Sequence, residues 1–265
     1  MNPQTIEFTS PSTVAESCTT PWHTPSKVAY QDLILKPEVA SRRYIFQPGA
    51  TWFRIVPSLP TSKRAWMLGV HELKYQGGRH SHKKTLQPGG KSVFDVAYQW
   101  HKINRPEALF SNANKNGYKL LSDPFCIFWA LFEEGGKILA RIVHLSYYDG
   151  SRGGAAGLGH QILKLTQELD EHGNLAANPI DPTQGVQFCI EKTQPKSGGY
   201  ANYTLRVGRV PAPMGALLAR MEPSEFAALR PLEDVVHQPD EDEEWKLLEH
   251  VIDAETVAKI RDAQQ

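Results

Sequence analysis

The hydrophobic pattern along the chain changes period several times, and each change marks an element. Residues 51–56 (TWFRIV) and 65–75 (AWMLGVHELKY) are short, β-rich apolar runs that predict the first two strands, the first closed by a proline turn at 57–60. Val93, Phe94, Ala97, Tyr98 and Trp100 recur at helical spacing and predict a short helix over 91–103. Residues 125–132 and 137–146 are apolar runs joined by Glu133-Glu134-Gly135-Gly136, a hairpin signal. Ile162, Leu163 and Leu165 predict a helix over 160–168. In 185–192 Val186, Phe188 and Ile190 alternate with Gln187, Cys189 and Glu191, and 200–207 returns as a partner strand after a turn at 195–199. From 214 to 263 the pattern becomes helical and acidic, with a charged break at 238–244. Residues 77–90 (GGRHSHKKTLQPGG), bounded by glycine pairs, read as a mobile basic loop.

Short strands paired by hairpins, with long loops between them, predict a mainly β (α+β) chain built on an OB-fold-like five-stranded barrel. The expected organisation is an arm over 1–41, the barrel core over 42–213 and an acidic helical tail over 214–265. At 265 residues, a core of this size needs no metal or disulfide staple. The three cysteines, Cys18, Cys126 and Cys189, are far apart and form no C-x-x-C pair, which suits a reducing cytoplasm. The polar first 20 residues lack the apolar centre of a secretory signal, and no apolar run reaches the ~18 residues of a membrane span. The cytoplasm is therefore the expected location.

Charge adds what the hydrophobic pattern cannot. The formal net charge is zero, yet residues 222–265 hold 13 acidic and 4 basic residues, while 1–221 hold 25 basic and 16 acidic. Between Arg42 and Lys119 there are 14 Lys/Arg against only Glu72, Asp95 and Glu107. A cationic body with an anionic tail implies a polyanionic ligand with which the tail can compete. The same stretch interleaves cations with rings, as in Trp52-Phe53-Arg54, Lys63-Arg64-Ala65-Trp66 and Tyr98-Gln99-Trp100-His101-Lys102. Single-stranded nucleic acid offers phosphates to the first and unstacked base faces to the second. Arg54, Lys63, Arg64, Trp66, Lys74 and Tyr75 are the leading groove candidates, with Arg42, Arg43 and Trp52 beside them. Arg79, Lys83, Lys84 and Lys91 would form a flexible basic flap. Trp100, Lys102, Tyr118, Lys119, Tyr200 and Tyr203 are further candidates. In the tail, Asp240, Glu241, Asp242, Glu243, Glu244 and Trp245 form the candidate partner-binding segment.

Other constellations carry less. His71, His80, His82 and His101 invite a metal reading, but no carboxylate or cysteine cluster accompanies them, and Arg79, Lys83 and Lys84 would repel a cation. Gly153-Gly154-Ala155-Ala156-Gly157-Leu158-Gly159 has neither the glycine order of a dinucleotide fingerprint nor the ending of a phosphate-binding loop. Neither metal, cofactor nor catalytic machinery is expected.

Several segments together resemble the helix-destabilising single-stranded-DNA-binding proteins of T-even phages and their relatives. TWFRIVPSLP over 51–60 is similar to that family's opening barrel strand, and VHELKY over 70–75 to its next strand. DPTQGVQFCIEK over 181–192, followed by Tyr200 and Tyr203, resembles its closing hairpin, and the acidic C-terminus its interaction tail. The zinc-binding Cys/His insertion of the T-even proteins is missing, since no cysteine lies between Cys18 and Cys126. Length and the lack of that insertion look more like the corresponding proteins of podophages that package a virion RNA polymerase. The resemblance implies sequence-tolerant binding of single-stranded DNA in phage replication, recombination and repair, and assistance to phage transcription. It also implies replication or transcription partners at the tail, and self-association on DNA. The alternatives are a sequence-specific transcription regulator, an RNA-binding adaptor, or an enzyme acting on nucleic acid through the histidines.

Overall fold

The structure, a computed structural model, describes residues 35–59, 66–75, 78–83, 92–111, 113–150, 155–168, 178–194, 201–237 and 239–264; for 37, 74, 75 and 78–83 it describes the backbone alone. In chain order the elements are α1 (Pro37–Ala40), β1 (Gly49–Ile55), β2 (Leu68–Tyr75), β3 (Gly78–Lys83), α2 (Val93–Asn104), β4 (Asp123–Glu134), β5 (Lys137–Ser146), α3 (Leu158–Leu165), β6 (Val186–Thr193) and β7 (Asn202–Pro211). The C-terminal helices α4 (Met214–Leu218), α5 (Pro223–Phe226), α6 (Leu232–Val235), α7 (Glu241–Leu248) and α8 (Ala254–Asp262) follow. The fold is α+β, with antiparallel strands in a sheet that does not close into a barrel. Among the described residues no helix is long and apolar enough to cross a membrane.

The chain forms two compact units that interleave in sequence. One comprises Ser41–Leu68 and Phe125–Val235, and the other Gly69–Pro124, Val236–Gln265 and, among earlier described residues, 35–40. The segment expected as one tail is therefore shared: α4 to α6 belong to the first unit, α7 and α8 to the second.

In the first unit the strands run β5-β4-β1-β6-β7. The continuous apolar run of β4 is explained by its place: Cys126 to Phe132 are all buried, so no polar alternation is needed. The β4–β5 connection is a two-residue turn in which Gly135 (φ 58°) and Gly136 (φ 79°) both take positive φ, as the tight hairpin requires. Phe53 lies at the centre of the core, stacked on Phe132, Phe188 and Phe128 at 5.5, 6.2 and 6.3 Å between centroids. The expected barrel is corrected here. Closing it would need β7 to present an inward apolar row. Instead Tyr203, Val207 and Val210 are 46, 38 and 77% exposed, and β7 pairs only with β6 among the described strands.

In the second unit β2 and β3 form a hairpin with Val70 opposite Lys83 and Tyr75 opposite Gly78. Residues 78–83 are thus a paired strand where a mobile loop was expected. Helix α2 opens on a capping box, Ser92 with Asp95. Phe94 and Ala97 on its inner face join Leu73 and Leu120, and Trp245, Leu248, Val257 and Ile260 of the C-terminal helices, in one core. The charged break expected over 238–244 is also corrected: Asp240 and Glu243 make a second capping box that starts α7.

Candidate nucleic-acid interface

Strand β1 carries the two residues that best separate a structural from a functional use of the same chemistry. Arg54, the leading groove candidate, is fully buried. Its guanidinium donates to the carbonyls of Ala212 (3.1 Å), Ile55 (3.0 Å), Pro179 (3.4 Å) and Asp181. Burial pulls its pKa down to about 10, against the raising effect of Asp181, so the group stays charged and is solvated by carbonyls. A β-carbon at Gly185 would collide with that guanidinium, which fixes glycine there. Arg54 holds the 179–185 turn against the sheet and has no donor facing solvent. The expected DNA-binding role is corrected.

Trp66 is also a core residue, 4% exposed and edge-on to Phe128 at 5.7 Å. Arg42 donates to Glu225 (2.9 Å) and to the Ala140 carbonyl (3.3 Å). Arg43 donates to Nδ1 of His144 at 2.7 Å. These cations serve the fold of the first unit.

Trp52 has the opposite fate. Strand alternation that turns Phe53 inward turns Trp52 outward, and it remains 47% exposed. Register puts Trp52 opposite Cys189 and Cys189 opposite Arg206, so the three share one face. Gly208 packs beside the indole: a β-carbon there would crowd the Gln187 carbonyl at 3.0 Å and lie in ordinary contact, 3.6 Å, with Cζ3. An open groove of about 670 Å³ runs past Trp52, Tyr44, Phe132, Arg209 and Glu133. Tyr44 is stacked on Phe132 at 4.0 Å, Arg220 pairs with Glu133, and Arg206 with Glu191. Glu134 keeps an exposed carboxylate at the rim. On the other face Tyr203 is exposed, and the Lys192 ammonium lies 5.8 Å from its centroid while donating to the Phe46 carbonyl at 2.8 Å. Trp52 and Tyr203 are therefore brought to one sheet but to opposite sides of it.

In the second unit Lys74 lies opposite Arg79 in the β2–β3 register, with Lys83 opposite Val70 and Tyr75 at the strand end. On α2 Lys102 is exposed and Trp100 half-buried. Tyr118 is half-buried, edge-on to His101 at 5.5 Å. Lys119 lies 4.6 Å, and Lys115 5.7 Å, from the centroid of Phe110, a ring 40% exposed. A lysine over an exposed ring gains only about 0.5–1 kcal/mol, so both contacts are loosely held. Phe110 and Lys115 were not among the sequence candidates, and only the general alternation of rings and cations pointed to them. Lys63, Arg64, Lys84, Lys91 and Tyr200 lie outside the described residues.

The acidic segment is built into the second unit rather than hanging from it. Asp240 accepts from the Glu243 N–H (2.8 Å) and Glu243 returns a bond to the Asp240 N–H (3.2 Å). Glu244 is buried and accepts from the Val93 N–H at 2.7 Å, at the N-terminus of α2. Trp245 is 3% exposed, donates to Glu241 at 3.3 Å and carries Arg261 5.3 Å from its ring. Of this run Asp240, Glu241 and Asp242 are exposed; Asp240 is committed to the cap, and Asp242 meets Arg261 at 3.5 Å. The segment expected as the partner-binding tail is thus the capped start of α7, with Glu244 and Trp245 taken into the core.

Among the described residues no group of three His, Cys, Asp or Glu side chains is placed to hold a metal. Cys126 and Cys189 are buried, and burial pushes both thiols up, away from nucleophilic use. Comparison with protein-family models and with curated proteins finds no match.

Proposed function

We propose that this chain binds single-stranded DNA with little regard to sequence, as a phage-type helix-destabilising protein working in the host-cell cytoplasm. We read its open antiparallel sheet as a departure from the OB barrel that leaves one strand face uncovered. The observation that carries the reading is Trp52: a tryptophan 47% exposed on a rigid strand, in register with Arg206 and beside a groove that Arg209 also lines. A large ring left half in water on a strand gains free energy when a planar partner covers it. A base does so, and about 1–3 kcal/mol per stacked base is gained whatever its identity. Flanking arginines take the phosphates, and duplex, whose base faces are already stacked, competes poorly. Assistance to phage replication and transcription proteins, and self-association on DNA, belong to the same reading.

Three of the other five tryptophans are buried, so the signal from Trp52 is read as the difference between the native chain and Trp52→Phe. Trp66, Trp129 and Trp245 are 4, 2 and 3% exposed, so contact quenching of these indoles is sterically blocked. Titration with oligo-dT, mixed-sequence single strand, RNA of matching sequence and duplex should quench intrinsic fluorescence with every single-stranded DNA, less with duplex, and less again at higher salt. Trp52→Ala should weaken binding roughly 10- to 100-fold, the equivalent of one stacked base. Tight binding confined to one duplex sequence, or to RNA, would replace this reading with the regulator or adaptor one.

A further inference from the structure

Resting on that reading, we propose that residues 108–111 and 113–119 of the second unit form a separate contact for the strand, in which a base stacks on Phe110 while Lys115 and Lys119 take the adjoining phosphates. These residues are tied together by their own bonds. Its neck is closed by the Phe110 N–H donating to the Tyr118 carbonyl (3.0 Å) and the Tyr118 N–H donating to the Ala108 carbonyl (2.8 Å). Asn114 pins the interior: its side-chain amide donates to the Glu107 carbonyl (2.8 Å), its carbonyl accepts from the Ser111 N–H (3.0 Å), and its N–H reaches Ser111 Oγ (2.9 Å). At Gly117 a β-carbon would strike the Leu109 carbonyl, so the two strands of the neck meet only because that residue is glycine.

A loop stabilised internally has no need to expose a phenylalanine, yet Phe110 is 40% exposed with two ammonium groups near its ring. Between residues 96 and 122 the sequence supplies four cations, Lys102, Arg105, Lys115 and Lys119, and one carboxylate, Glu107. The chemistry wanted is therefore a polyanion that also carries planar faces. An acidic peptide offers charge alone, and a duplex offers phosphates with its base faces covered. Only a melted strand uses the ring and the ammoniums together. On binding, each lysine gives up a weak contact with the ring for a phosphate, and the base takes the vacated face.

The test uses the full chain in the Trp52→Phe background, with Phe110→Trp as a reporter at the loop. Oligo-dT long enough to reach both units should quench the signal that the new indole adds to that of the Trp52→Phe parent. Phe110→Ala in the otherwise native chain should weaken that oligomer roughly tenfold while Trp52 quenching still reaches its full extent. Lys115→Ala with Lys119→Ala should lower the salt slope by about 1.4, two single-strand phosphate contacts at about 0.7 each. Folding is checked by circular dichroism, since these side chains are exposed. The proposal is overturned by folded variants that keep native affinity and slope with the Phe110→Trp reporter unquenched, or that lose only the capture of an acidic peptide. Failure of the native chain to bind any single strand is a different result, and it removes the DNA-binding reading itself.

Discussion

Glu225 accepts from the Ala140 N–H at 2.8 Å, from Arg42 at 2.9 Å and from Arg141 at 3.3 Å, and so fastens α5 to β5. Burial alone would raise its pKa. The Ala140 hydrogen bond and the two guanidiniums outweigh that and hold the carboxyl below the usual glutamate range. Asp181, bonded by Gln184 and Thr183 and facing Arg54, is likewise held low despite its burial. A group whose folded pKa is depressed contributes stability above its unfolded value and loses it as pH falls through the folded one. The urea midpoint should therefore be level near neutrality and fall below about pH 4.3. Glu225→Gln should cost about 2–3 kcal/mol at pH 7 by losing charge-assisted bonds, and should flatten the acid limb. A midpoint unchanged at pH 7 would remove Glu225 from this role. The same reasoning shows where the sequence is silent. Arg54 and Trp52 sit two positions apart in TWFRIV, both suited to DNA. Which one faces water depends on the turn over 179–185, more than a hundred residues away, whose carbonyls take the guanidinium.

Elements were more legible than residues, because hydrophobic period is a local property. Both hairpins, α2 and α3 emerge within a few residues of the ends that the pattern predicts. What the pattern missed is where local composition and tertiary pairing disagree. Strand β3, GRHSHK, has no apolar alternation and reads as a loop until β2 lies beside it. Helix α7 begins in four consecutive acidic residues, which look like a solvated break, yet charge at a helix N-terminus is favourable. One of those carboxylates does more. Glu244 reaches the N-terminus of α2 and is buried where it bonds the Val93 N–H. Glu244→Ala leaves that N–H without an acceptor and should cost about 1–3 kcal/mol. Glu244→Gln keeps an acceptor in place and should cost about half as much. Chemical denaturation of the three proteins side by side gives the order, and equal stability of the alanine and native chains would show that the bond contributes nothing.

At the scale of the molecule, the division into units decides how the acidic C-terminus can be tested. An arm, core and tail in sequence order suggest that removing 240–265 would uncover the DNA groove. The second unit instead takes Trp245, Leu247, Leu248, Ile252, Val257 and Ile260 from that segment into its core. At about 1.5–3 kcal/mol for each buried side chain, their combined loss is as large as the roughly 5–15 kcal/mol by which domains are stable. The truncated chain should therefore lose the second unit's structure, with a lower helical signal and protease sensitivity in 69–124, whatever becomes of DNA affinity. Competition by charge is separable from this, because Glu241, Asp242 and Glu249 are exposed. Neutralising them as Glu241→Gln, Asp242→Asn and Glu249→Gln removes three negative charges while touching only the part-buried bond from Trp245, for which Gln keeps an acceptor, and the 3.5 Å pair with Arg261. If the acidic surface competes with DNA, this folded variant should bind oligo-dT several-fold tighter at low salt and equally at high salt, where screening shortens the reach of those charges. Equal affinity at both salt concentrations would mean that the acidic run acts only through its caps and its core side chains.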